Sequence, residues 1–186
     1  MIFTEEDGKY LINIAKNAIE TYLKTDTQIN PPSDCANCFK ENYGAFVTLN
    51  KNNQLRGCIG YPKPVMPLIN AIIESSIAAA CSDPRFEKLK LDELKDIDIE
   101  ITVLTPPTLI NVNTPEEYLD NINIGEDGLI VEQGYRSGLL LPQVAVENNM
   151  DKEEFLSHTC MKAGLYSNTW MIDKIKLYKF QGQIFK

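Results

Sequence analysis

Histidine is almost missing from this sequence. His158 is the one copy in 186 residues, so any Cys–His nucleophile pair must be built on it, with Cys58 or with Cys160 as the thiol. Cation is also in short supply: 18 Lys and Arg stand against 26 Asp and Glu, a formal net charge of -8. That balance opposes non-specific binding to DNA, RNA or an anionic membrane, which needs a basic surface. No apolar run approaches the ~20 residues that a bilayer span requires. Met1 to Asp7 has no cationic stretch leading into an apolar one, so no signal peptide is expected and the expected compartment is the cytoplasm. Five cysteines, at 35, 38, 58, 81 and 160, are an odd number, which argues against a disulfide framework in such a compartment. Internal repeats, low-complexity tracts, a phosphate-cradling glycine loop and a dinucleotide fingerprint are all lacking, so no cofactor is expected.

What is present is enough to fold. A hydrophobic content of 44% can fill a core, and the length suits one large or two small domains. Thr4 followed by Glu5, Glu6 and Asp7 reads as a helix start, with apolar pairs from Tyr10-Leu11 to Tyr22-Leu23 forming one face. The helix should end before Pro31-Pro32, which opens a polar loop holding Cys35-Ala36-Asn37-Cys38. This CxxC has three readings: half a zinc site, a redox pair, or incidental loop thiols. Zinc needs two more ligands, for which His158 with Cys160 is the one compact candidate, and a redox CxxC should open a helix after a strand. Incidental thiols are the favoured reading, and no metal site is expected.

Gly44–Asn50 and Gln54–Tyr61 read as a hairpin closed by Lys51-Asn52-Asn53. Leu68 to about Ser82 follows as a helix apolar on nearly all sides and hence buried, with Cys81 packed at its end. In Asp83-Pro84-Arg85-Phe86, proline stops the helix. Arg85 is then either a local partner of Asp83 or an anion clamp that Asp83 orients. Alternation from Ile97 to Val103 predicts a strand whose polar face carries Glu100, a candidate proton-transfer carboxylate or a solvated one. Pro106-Pro107 breaks that strand, and Asn113 to Glu117 starts a short helix. Leu129–Glu132 and Leu139–Leu141 predict a second hairpin, closed by Gly134 to Gly138. Gln143 stands at the junction with the next element, a good position for a ligand contact. Asp151 begins a further helix that presents Phe155, Leu156, Thr159 and Cys160 inward and ends at Gly164. Trp170 leads into a last strand, Ile172–Phe180, whose lysines 174, 176 and 179 would guard an edge. Hairpins interleaved with helices, without regular strand–helix–strand alternation, predict an α+β fold with antiparallel or mixed sheets.

The stretch with most chemistry in it is Leu55-Arg56-Gly57-Cys58-Ile59-Gly60. Glycines at minus one and plus two leave room for a backbone or a ligand beside the sulfur, and a nearby guanidinium favours thiolate over thiol. Arg56 shares a face with Cys58 if the strand stays regular through Gly57. The competing reading is a sheet corner in which both glycines serve the backbone and Cys58 is buried.

That stretch, preceded by Gly44-Ala45-Phe46-Val47-Thr48-Leu49, is similar to the hallmark of the AMME chromosomal-region (AMMECR) domain family. Further blocks occur in the family's order: Asp83-Pro84-Arg85-Phe86, Ile99 to Pro106, Gly128 to Glu132, Leu140 to Ala145 and Lys162 to Leu165. The resemblance covers nearly the whole chain. It implies two α/β-sandwich subdomains with a cleft between them, here placed at 1–105 and 106–170, with 171–186 able to return to the larger one. It implies no settled reaction, and an association with Memo-type and radical-SAM proteins suggests a shared pathway. If the blocks converge, they gather Arg56, Cys58, Asp83, Arg85 and Gln143, with Gly57 and Gly60 alongside, a set suited to a small anionic ligand. One expectation is an enzyme using Cys58 as nucleophile or thiol carrier, with Arg56, Glu100 or His158 assisting. The other is a ligand- or protein-binding module in which Cys58 is packed.

Overall fold

The computed structural model describes residues 3–172 and 174–186. It divides into two compact units, residues 1–104 with 183–186, and residues 105–182. Helices and antiparallel strands mix throughout, an α+β fold.

In the first unit, helix α1 (Glu5–Thr25) starts on a capping box. The Thr4 hydroxyl accepts from the Asp7 N–H, the Asp7 carboxylate accepts from Thr4, and three acids lie in the positive first turn. Strands β1 (Gly44–Lys51) and β2 (Gln54–Tyr61) form the expected hairpin, and Asn52 and Asn53 take the positive φ its turn requires, 52° and 60°. Helix α2 (Leu68–Cys81) buries ten of its side chains against α1 and the sheet, and β3 (Ile97–Leu104) pairs with β1 on the side away from β2. Ala45, Val47 and Leu49 of β1 and Ile99, Ile101 and Val103 of β3 face the helices. Phe46, Thr48 and Asn50, with Asp98, Glu100 and Thr102, face the other way. The CxxC loop is mostly exposed but anchored at two points: Cys35 is buried and Phe39 stacks on Tyr10 at 5.3 Å.

The second unit opens with β4 (Thr108–Leu109) and α3 (Glu117–Asp120). The hairpin of β5 (Asp127–Gln133) and β6 (Arg136–Leu140) is tighter than the glycine spacing predicts, turning on Gly134 and Tyr135, so β6 begins three residues before Leu139. Helices α4 (Pro142–Glu147) and α5 (Lys152–Lys162) follow, the latter capped by Asp151 and packing Phe155, Leu156 and Cys160 inward.

The C-terminal segment departs from expectation. Thr169–Ile172 is a helical turn, α6, anchored by Trp170, whose indole N–H donates to Ser157 Oγ at 3.1 Å. Strand β7 starts at Lys176 and runs to Phe185, its last residues counted with the first unit. It guards no edge, because β4 and β5 flank it on its two sides. Lys179 instead reaches the buried Asp127 at 3.4 Å and the Asn121 carbonyl at 2.8 Å, which compensates a carboxylate that is 1% exposed.

Candidate functional site

The site is made by one extra residue. Lys51 faces Gln54 and Asn50 faces Leu55, but then the register shifts and Leu49 faces Gly57, leaving Arg56 as the unpaired residue of a β-bulge. A regular ladder counted back from the Asn52-Asn53 turn would set Cys58 opposite Val47, in the core. The bulge sets it opposite Thr48, on the face away from the helices, and turns Gly57 toward α2 instead. A Cβ on Gly57 would stand 2.1 Å from the Ala79 carbonyl oxygen, so the backbone that comes close there is the chain's own helix. At Gly60 the corresponding space is taken by the Ala45 carbonyl, at 2.2 Å, and by Phe46. Both glycines are therefore required by packing within this unit.

Cys58 is half-buried, and the Thr48 hydroxyl donates to its sulfur at 3.2 Å. β2 is an edge strand, and Cys58 turns its own N–H and C=O outward. Asp83, just past α2, accepts the Cys58 N–H at 2.9 Å, and Arg85 Nη2 donates to the Cys58 carbonyl at 3.2 Å. Together these two side chains satisfy the edge as a neighbouring strand would. They also hold each other: Arg85 Nε meets Asp83 Oδ1 at 2.9 Å, Nη2 meets Oδ2 at 2.7 Å, and the Arg85 main-chain N–H donates to Oδ1 at 3.1 Å. These bonds, the guanidinium first and the two main-chain N–H groups after it, hold the Asp83 carboxyl well below the usual carboxylate range despite its burial. The pairing with Asp83 raises Arg85 in turn. The Arg85 side chain is 54% exposed and that of Asp83 1%, so a fixed cation is displayed beside the thiol.

Arg56 and Glu100 lie apart from this cluster. Arg56, displaced by the bulge, bonds to the Glu87 carbonyl at 2.9 Å and to Glu93 at 3.3 Å, so it does not flank Cys58 as a regular strand would make it. Lys51 first, then the Lys90 N–H and Arg56, hold Glu93 down at about 2. Glu100 continues the cross-strand row Cys58–Thr48–Glu100, but two strand spacings put it about 10 Å from Cys58, and Lys186 pairs with it at 2.9 Å. Gln143 and His158 belong to the second unit. Gln143 is exposed on α4, and His158 is exposed on α5 in a hollow beside Glu154 and Met161. Thr48 is the participant sequence reasoning missed. Its signal lay in the hairpin, but only the bulged register sets it against the thiol.

A profile of the AMMECR1 family matches residues 12–185. A protein of Methanothermobacter thermautotrophicus is 50% identical over 182 residues, covering 98% of this chain and 95% of its own length. A protein of Pyrococcus furiosus is 50% identical over 187 residues, covering 98% and 89%. The crystal structure of an uncharacterized protein from Pyrococcus horikoshii matches with a TM-score of 0.87 at 48% identity, over 99% of this chain and 93% of that one. In extent and in identity these matches agree, and the chain belongs to the AMMECR1 family.

Proposed function

We propose that this protein is an enzyme in which Cys58 acts as a nucleophile or thiol carrier on a small anionic metabolite, with Arg85 docking the anion. One observation carries the reading. The thiol is turned off the core by the bulge and set beside a guanidinium that is locked in place yet exposed. Positioning of this kind is what covalent catalysis requires of a thiol. In the chemical step the thiol gives its proton to solvent, the sulfur lone pair forms a bond to an electrophilic carbon of the metabolite, and the leaving group departs with its bonding electrons. No electron transfer is involved. We place the reaction in the cytoplasm, in a pathway shared with the Memo-type and radical-SAM proteins associated with the family.

A second reading is favoured by a separate observation: Asp83 and Arg85 bond to the main chain of Cys58, which suffices to explain them as an edge cap in a binding module. Alkylation separates the two. Iodoacetate, an anion, and iodoacetamide, its neutral counterpart, are compared at Cys58 and Cys38 by peptide mapping of the folded protein. On the enzyme reading Cys58 is labelled faster than Cys81 and Cys160, its iodoacetate-to-iodoacetamide ratio exceeds that at Cys38, and R85M abolishes the excess. The double variant D83N/R85M, which leaves no buried carboxylate behind, should do the same. Cys58 unlabelled in the folded protein, or equal ratios at both thiols, would leave the binding module.

A further inference from the structure

A second candidate site lies within the second unit, where the sequence sets lysines at 174, 176 and 179 in a chain whose net charge is -8. Two of these cations have a counterpart in the structure. Lys179 is held by Asp127 and the Asn121 carbonyl, and Lys176 stands opposite Glu132 in the β5–β7 ladder. Lys174 is exposed and forms no ion pair or side-chain hydrogen bond among the described residues. Near it the pairing of β4 with β7 runs out. After Leu109 faces Tyr178, the Ile110 N–H donates to the Leu177 carbonyl at 2.8 Å, and the chain then leaves for α3. A cavity of about 410 Å³ remains among that departing loop, α3, Trp170 of α6 and the residues that lead into β7.

Its lining sets polar groups in an aromatic and aliphatic wall. Trp170, Ile110, Val112 and Ile175 supply apolar surface, and Lys174 and Tyr118 are among the polar residues. Tyr118 is 9% exposed, yet its hydroxyl makes no hydrogen bond among the described residues. A buried phenol ordinarily finds a partner, so this one is left for a group that enters the cavity. Burial pushes the phenol up, which keeps it protonated and able to donate at neutral pH.

We propose that this cavity binds a small aromatic carboxylate. Its ring lies against Trp170 and the aliphatic residues, and its carboxylate accepts from the Lys174 ammonium and the Tyr118 hydroxyl. The unclaimed ammonium selects an anion, since a bond between two charged groups is stronger than one between neutral groups. The indole selects a ring, since paired aromatic faces gain more than the area they bury. An apolar wall with a few polar groups, in a volume of this size, is the ordinary make-up of a small-ligand site. The site is separate from Cys58, which belongs to the first unit, and stands whether or not the thiol is reactive.

Trp170 is the one tryptophan of the chain, so its indole N–H gives a single signal in the NMR spectrum of isotopically labelled full-length protein. Phenylacetate, the neutral phenylacetamide and the non-aromatic cyclohexylacetate are titrated in turn. Phenylacetate should move the indole signal and saturate, and each analogue should bind about fivefold more weakly, the scale of one charge or ring contact. K174M and Y118F should each weaken phenylacetate binding about fivefold. Y118F should leave the urea midpoint of the free protein unchanged, because the hydroxyl it removes has no partner in the fold, and the rest of each variant's spectrum reports its folding. Absence of a shift at about 10 mM phenylacetate, a concentration far above that for any useful site, would overturn the proposal. So would undiminished affinity for either analogue or in either variant, or a lowered Y118F midpoint, which would give the hydroxyl a structural role.

Discussion

Replacing Asp83 by Asn should be costly out of proportion to its size. Four N–H groups converge on the two carboxylate oxygens: those of Cys58 and Arg85 in the main chain, and Nε and Nη2 of the guanidinium. An amide of the same shape keeps one acceptor oxygen and turns its own NH2 toward the remaining donors. Two of the four bonds are then lost. Bonds to charged groups contribute about 1.5–3 kcal/mol each, but Arg85 is more than half exposed and regains water, which discounts its share. The expected cost is about 2–4 kcal/mol. Urea unfolding at pH 7 measures it as a lower midpoint at unchanged m.

The pH dependence gives a second reading of the same variant. Asp83 is held below its unfolded value of about 3.9, so its contribution is complete above that value and is lost as pH falls through the lower folded one. The gap between wild type and D83N should therefore be constant near neutrality and narrow below about pH 4. Hydrogen exchange at the Cys58 amide should quicken more than at Ile59, which pairs with Val47 inside the hairpin. A cost under about 1 kcal/mol, or a gap that does not narrow in acid, would show that the clamp is not what holds this edge.

Two further outcomes follow from packing. G57A places a methyl 2.1 Å from the Ala79 carbonyl oxygen, and because that atom is helix backbone the variant should lose about 2 kcal/mol or more in urea unfolding. Wild-type stability would show that α2 can shift freely. Burial pushes the Cys160 thiol up to about 11, against roughly 8.5 in an unfolded chain. Its neutral form is thus favoured by folding, so this thiol should resist alkylation at pH 8 until urea is added, and its contribution to stability should fall as pH rises from about 8.5 toward 11. Rapid labelling of Cys160 in the native protein would contradict its place in the core.

Local rules account for much of the fold. Thr4 to Asp7 dictate the start of α1 because cap and dipole act within one turn, and Asn52-Asn53 dictate the hairpin because their backbone tolerates positive φ. The nearly continuous apolar surface of α2 dictates its burial. The C-terminal segment was less legible. Alternating lysines look the same on an edge as beside a buried Asp127, and only the positions of β4 and β5 distinguish the two.

For the site, the sequence by itself determined that a thiol, two glycines and two arginines fall in two short blocks. The tertiary structure decided which of them meet. A single bulged residue sends Arg56 to Glu93 and reverses the faces of Gly57 and Cys58. Asp83 reaches the Cys58 main chain across 25 positions of sequence. Neither event is local: the first depends on the Ala79 carbonyl needing a residue without a side chain beneath it, the second on an edge strand needing its outward hydrogen bonds satisfied. Composition and spacing carry no record of those needs, because they arise only when helix, strand and loop are packed together.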